Sequence, residues 1–215
     1  MYLIDASYFV RELSIPNIDE TYSENKKNLE YFIQDKVRLL LQNLLGYELF
    51  KDFESYLVNG ALPSTGVPLK WTNLVYGAEY SIASKTYKWN GLIYTLGTYK
   101  KSLLAKYVYC EFLKEEQNTM TGVGMKVVEA KNSINYTSNY KLNNVWNQFI
   151  KEYQGGSNYL DKPYIGKKNS TTFIDWLGGE NNNGYVSLVR FVMDNKDDYP
   201  NAPVYRYRIE NSFGL

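Results

Sequence analysis

The chain has 215 residues, 44% of them hydrophobic and 16% aromatic, enough to bury a real core and to exclude wholesale disorder. A net charge of +1 excludes a strong overall field for nucleic acid or membrane, although local patches remain open. There is no histidine and one cysteine, so the commonest acid/base and metal ligand is missing, and neither an internal disulfide nor a multi-cysteine zinc site can form.

In chain order, residues 1–13 form a short amphipathic piece that reads as one helix, with Asp5 or Ser7 as its N-cap. The MYLIDASYF start lacks the basic flank and apolar block of a signal peptide, and no run approaches the ~20 apolar residues of a membrane span. The expectation is a soluble protein not exported by the usual route. After Pro16, Thr21 and Ser23 are capping candidates for a helix in which Leu29, Ile33, Val37, Leu40 and Leu44 keep helical spacing. Gly46 marks a stop or sharp corner, and Leu49, Phe50, Phe53 and Leu57 then resume the period, which makes a kinked or hairpin helix pair.

Residues 61–68 are a loop, and Trp71, Leu74 and Val75 fit one or two helical turns ended by Gly77. Tyr80 and Ile82, then Tyr87 and Trp89, alternate on either side of residues 83–86 as a small β-hairpin. Asn90-Gly91 is expected to turn the chain into one long central helix spanning residues 92–116. On that helix Leu96, Tyr99, Leu103, Tyr107 and Cys110 form one apolar stripe and Leu104, Val108 and Phe112 a second, so it packs against two layers, with Lys101 and Lys106 off both stripes. The stretch from Asn118 to Asn139 has turn residues and no helical period and reads as a projecting excursion, with a hairpin as its expected form. Thr137 or Ser138 caps a further helix, with Leu142, Val145, Trp146, Phe149 and Tyr153 on one face, that ends at Gly155-Gly156.

Beyond Gly156 the composition turns to glycine, asparagine and proline, which suggests residues 1–156 as a helical core and 157–215 as a C-terminal extension. There, YVSLVRFVM (residues 185–193) is a helix or a strand that periodicity does not separate. In VYRYRIENSFGL, Tyr205, Tyr207 and Ile209 alternate with Arg206 and Arg208, and the segment ends on Phe213 and Leu215. This is an arm that either folds back on its own chain or adds to a partner. The fold class is thus mainly α: a helical bundle around one long central helix, with small β-hairpin excursions and an extended C-terminal arm.

Sites for chemistry are sparse. Asp197-Asp198 and Glu115-Glu116 read as solvated charge, and Gly122 and Gly124 lack the spacing and Lys-Ser/Thr ending of a phosphate loop. Cys110 has no histidine to activate it and reads as a small core residue. Adjacent basic pairs, such as Lys100-Lys101 and Lys167-Lys168, are too few to track a nucleic acid backbone. No catalytic, metal or cofactor residue is assigned, and the residues alone describe a helical protein that binds other proteins.

The order of features nevertheless resembles the head-tail connector (head-completion, adaptor or neck ring) proteins of tailed bacteriophages, in the version found in crAss-like and other Bacteroidetes phages. The resemblance rests on VRLLLQNLLGYELFKDF, the aromatic hairpin with WNGL, KSLLAKYVYCEFL, the TGVG excursion, LNNVWNQF and the terminal NSFGL, in that order, over most of residues 25–215. It implies a non-enzymatic virion protein, made in the host cytoplasm, that forms a ring, usually of twelve, at the portal vertex. Such a ring binds the portal protein on one side and a tail or lower neck protein on the other, and passes DNA through its lumen without holding it tightly. The same resemblance suggests Tyr205, Tyr207, Ile209, Phe213 and Leu215 as contacts to the portal or a neighbouring copy. Alternatives are a different neck or tail-completion ring protein, or a DNA-packaging accessory; the latter calls for a basic helix-turn-helix and a coiled coil, and neither is found.

Overall fold

The structure, a computed structural model, describes residues 2–16, 18, 24–116, 118–121, 124–127, 136–155 and 184–207. The capping candidates Thr21 and Ser23, most of the glycine-rich stretch, and Ile209, Phe213 and Leu215 lie outside them. Among the described residues the chain is mainly helical, with five α-helices and three two-stranded antiparallel hairpins.

Helix α1 (Glu24–Ser55) is long because its apolar residues hold one face for most of its length, burying Leu29, Ile33, Val37, Leu40, Leu41 and Leu44 before the corner and Leu49, Phe50 and Phe53 after it. The corner is Gly46, at φ 75 and ψ 174, a conformation that side chains oppose. Helix α2 (Leu69–Tyr76) buries Trp71, Leu74 and Val75 and stops at Gly77 as its spacing predicts. Strands β1 (Ala78–Ile82) and β2 (Lys85–Trp89) form the expected hairpin through Ala83 and Ser84, both at positive φ, the geometry a two-residue hairpin turn needs.

The expected helix over residues 92–116 is replaced in its first half by a second hairpin, β3 (Ile93–Leu96) and β4 (Tyr99–Ser102), and only Leu103–Glu116 is helical, as α3. Leu96 and Tyr99 face each other at the hairpin tip and are exposed, so they do not belong to an apolar helix stripe. Two local features favour the hairpin. Ile93, Tyr94 and Thr95 prefer extended backbone, and Ser102 starts α3 as an N-cap: its hydroxyl accepts from the Leu104 and Ala105 amides while donating to the Leu92 carbonyl. Asn90-Gly91 accordingly turns the chain into β3. The Gly91 backbone lies so close to Gly77 that a Cβ there would come within 2.6 Å of the Gly77 nitrogen and the Val75 carbonyl oxygen.

Helix α3 packs between α1 and α4 (Tyr136–Gln154) and is buried around most of its circumference from Leu103 to Cys110. Lys106, expected outside the apolar stripes, is one of these buried residues and pairs with Glu152 of α4. Helix α4 starts at Tyr136, so Thr137 and Ser138 stand inside its first turn, and it buries the expected Leu142, Val145, Trp146, Phe149 and Tyr153 together with Ile150. The excursion after α3 forms the hairpin β5 (Asn118–Thr121) and β6 (Gly124–Val127).

Residues 2–13 form two single 3-10 turns, Ala6–Tyr8 and Arg11–Leu13, instead of one helix. Asp5 caps the first by accepting from the Ser7 amide, and Val10 runs extended between them, which breaks the helical run. Charged side chains tie this segment to β4, through Lys101 to Glu12 and through Arg11, whose guanidinium lies 3.9 Å over the Tyr99 ring. Late in the chain, residues 184–186 lie parallel to β2 by a Lys88–Tyr185 bridge, and the ambiguous apolar run resolves as helix α5 (Leu188–Asp194), capped by Ser187. Its Leu188, Val189, Phe191 and Val192 join the same hydrophobic core as α1, α3 and α4.

Candidate interaction surface

The surface begins with the corner in α1. The last carbonyls of a helix have no partner within it, and the non-helical Gly46 creates such an end in mid-sequence. The Leu44 and Asn43 carbonyls there accept from the amides of Val204 and Tyr205, at 3.2 and 3.0 Å. Pro203 sits against Gly46, where a Cβ would meet its Cδ at 3.1 Å. The C-terminal segment thus finishes the broken helix end.

The end of α4 supplies the second half of the seat. Tyr153 donates its hydroxyl to the Tyr205 carbonyl at 2.8 Å. Gln154, buried on its helix, clamps residue 207 with both ends of its amide: Nε2 donates to the Tyr207 carbonyl at 2.8 Å, and the Tyr207 amide donates to Oε1 at 2.9 Å. This reproduces with one side chain the two-bond exchange of a paired antiparallel strand. Tyr207 then enters an aromatic cleft, with ring centroids 5.6 Å from Tyr107, 5.9 Å from Trp146, 5.4 Å from Phe149 and 5.2 Å from Tyr153. Edge-on and tilted rings at these distances attract beyond simple burial.

Electrostatics follow from that packing. Burial first, then the neighbouring Tyr207, pushes the Tyr107 and Tyr153 phenols well above their ordinary value, so both stay neutral and Tyr153 keeps the proton it donates. Burial also raises Tyr207. Its hydroxyl is enclosed beside Asn43 and Tyr107 without a well-formed hydrogen bond.

Of the five residues expected to make partner contacts, Tyr205 and Tyr207 are brought together, 5.1 Å apart between ring centroids, but face differently. Tyr207 is half-buried in its own chain, whereas Tyr205 is 56% exposed. Of the alternating Tyr-Arg pattern, the described residues 205–207 belong to no sheet: their backbone partners are the Asn43 carbonyl at a helix end and the Tyr153 and Gln154 side chains. Asn43, Gly46, Tyr153 and Gln154 were not singled out as a site from the sequence. The one available signal was Gly46, whose corner leaves carbonyls that something must cap.

Elsewhere, Asp197 and Asp198 are exposed as expected, and Cys110 is buried with its Sγ near the Leu142 carbonyl. Among the described residues no three acidic or cysteine side chains are grouped to hold a metal, and no helix is long and apolar enough to cross a membrane. What the seat offers chemically is hydrogen bonding to the backbone of one segment and an aromatic cleft for one side chain. Comparison with known proteins finds no matching family model, no matching curated protein and no matching solved structure.

Proposed function

We propose that this chain is a structural virion protein of tailed bacteriophages, forming a ring at the portal vertex that joins capsid to tail and extends the DNA channel. The observation that supports the reading is the order of the resembling segments along the chain, which fall in turn on the kinked α1, the aromatic hairpin with the turn that follows it, α3, the β5–β6 hairpin and α4. A ring is a head-to-tail assembly, so each copy needs two different complementary surfaces. The C-terminal arm with exposed Tyr205 is one candidate; the β3–β4 tip, with Leu96 exposed at 65%, is a second. In this reading the partners are neighbouring copies, the portal protein and a tail or lower neck protein, and the near-neutral chain lets DNA slide because little counterion release holds it.

The composition of purified particles tests this. Mass spectrometry of tailed virions from the same genome should find the chain in constant ratio to the portal protein, and in particles that have a neck but not in empty capsid precursors. Its absence from finished virions would remove the reading.

A further inference from the structure

The outer half of the β3–β4 hairpin has no seat in the core. Its base is fixed: Leu92 and Ser102 are buried, and Ile93 packs against the core. Beyond the base, residues 95–100 are all exposed, Leu96 at 65% and Tyr99 at 41%. A Cβ built on Gly97 in the turn meets nothing within 4 Å. A two-stranded hairpin has little stability of its own, so the direction of this tip is decided by what holds it from outside.

Among the described residues that holder is the N-terminal segment, and its contacts reach both faces of β4. Alternation puts Lys100 on one face and Tyr99 and Lys101 on the other. The Lys100 ammonium donates to the Ser7 hydroxyl at 2.8 Å, lies 3.8 Å from the Asp5 carboxylate and 5.3 Å from the centroid of the Tyr8 ring. On the opposite face the Arg11 guanidinium covers the Tyr99 ring and donates to its hydroxyl. Lys101 and Glu12 pair nearer the base. The segment does not depend on the tip for its own place, because Ile4, Phe9, Leu13 and Ile15 are buried in the core. The contacts on the tip join exposed or half-buried groups, and such contacts are individually weak.

The backbone of Arg11 points the same way. It lies at φ 56, left-handed backbone that glycine takes without cost and arginine does not. What arginine adds at this position is the guanidinium on Tyr99.

We propose that residues 95–100 are a latched tip. Arg11 and Lys100 hold it against the N-terminal segment. Loss of these contacts lets it swing about its base and uncovers the face of Tyr99, which pairs with Leu96 across the hairpin. The chain thus has a form in which Arg11 covers this apolar pair and a form that presents it. Only the use of the presented pair, as one complementary surface of a ring subunit, rests on the connector reading; the latch itself does not.

The test uses the full-length chain and no phage component, so its failure is separable from failure of the connector reading. A nitroxide attached at exposed Thr98→Cys broadens the amide resonances of residues close to it in space, and the native Cys110 is buried. With Arg11 and Lys100 in place, the amides of residues 7–10 should be broadened. Arg11→Gly combined with Lys100→Gln should lower that broadening about twofold or more, with helical circular dichroism unchanged. Glycine suits the left-handed backbone at position 11, so loss of the fold does not stand in for loss of the latch. Equal broadening with and without the two substitutions overturns the proposal. Absence of broadening in the chain that keeps Arg11 and Lys100 also overturns it, because the tip would then not be held. Amides of residues 4–13 that move to unfolded positions on substitution overturn it as well, since the segment and not the tip would have let go.

Discussion

Lys106 shows how a single residue is placed by its partner. Its side chain is 7% exposed and that of Glu152 14%, so two charges have been withdrawn from water between α3 and α4. Such a pair costs desolvation on both sides, and removing one member strands the other. Lys106→Met keeps the apolar stem and leaves Glu152 unpaired; thermal or denaturant unfolding should show a loss of about 3 kcal/mol. The variant that also carries Glu152→Leu should recover much of it. The buried phenols make a second prediction at this scale. Burial, joined for Tyr80 by the hydrogen bond to Asp194, raises Tyr80, Tyr107, Tyr153 and Tyr199 above the ordinary 10.0. Below that pH the folded and unfolded chains bind the same protons at these sites. Above it the unfolded chain releases them first, so stability is full below pH 10 and falls as pH rises toward the folded-state values. An alkaline titration should therefore show these tyrosinates appearing together with loss of helical circular dichroism, after the exposed tyrosines have ionised.

At the scale of elements, the start of α3 decides how the middle of the chain is divided. Ser102 satisfies two amides of α3 and one carbonyl of the corner, so Ser102→Ala should cost about 1–2 kcal/mol in chemical denaturation. Ser102→Thr, which keeps the hydroxyl, should cost less. Ser102 was not singled out as a cap in the sequence, because the spacing of Leu96, Tyr99 and Leu103 fits a helix that runs through it. A four-residue strand has too few residues for alternation to outvote a helical period that continues into α3. The long elements were legible for the opposite reason: α1 and α4 repeat their apolar spacing over many turns, and Gly46 and Gly77 mark sharp changes of direction. Lys106 was misplaced because a charged residue on a helix is ordinarily solvated, and its partner Glu152 is far away in sequence. The arm was visible as an alternating Tyr-Arg segment, but its seat was not, since Asn43, Tyr153 and Gln154 converge only once α1 and α4 are packed.

At the scale of the whole molecule, α3 is enclosed between α1 and α4, and α5 adds to the same core. Exposed Leu96, Tyr47, Leu69 and Tyr205 are distributed over several elements, an arrangement suited to contacts with more than one neighbour. The proposed ring subunit must bind the portal in a fixed ratio. The solution mass of the purified chain, alone and then mixed with the portal protein from the same genome, should show a discrete complex in which the chain is stoichiometric with portal subunits. A portal whose mass is unchanged by the chain, at concentrations where both proteins are folded, would rule the ring reading out.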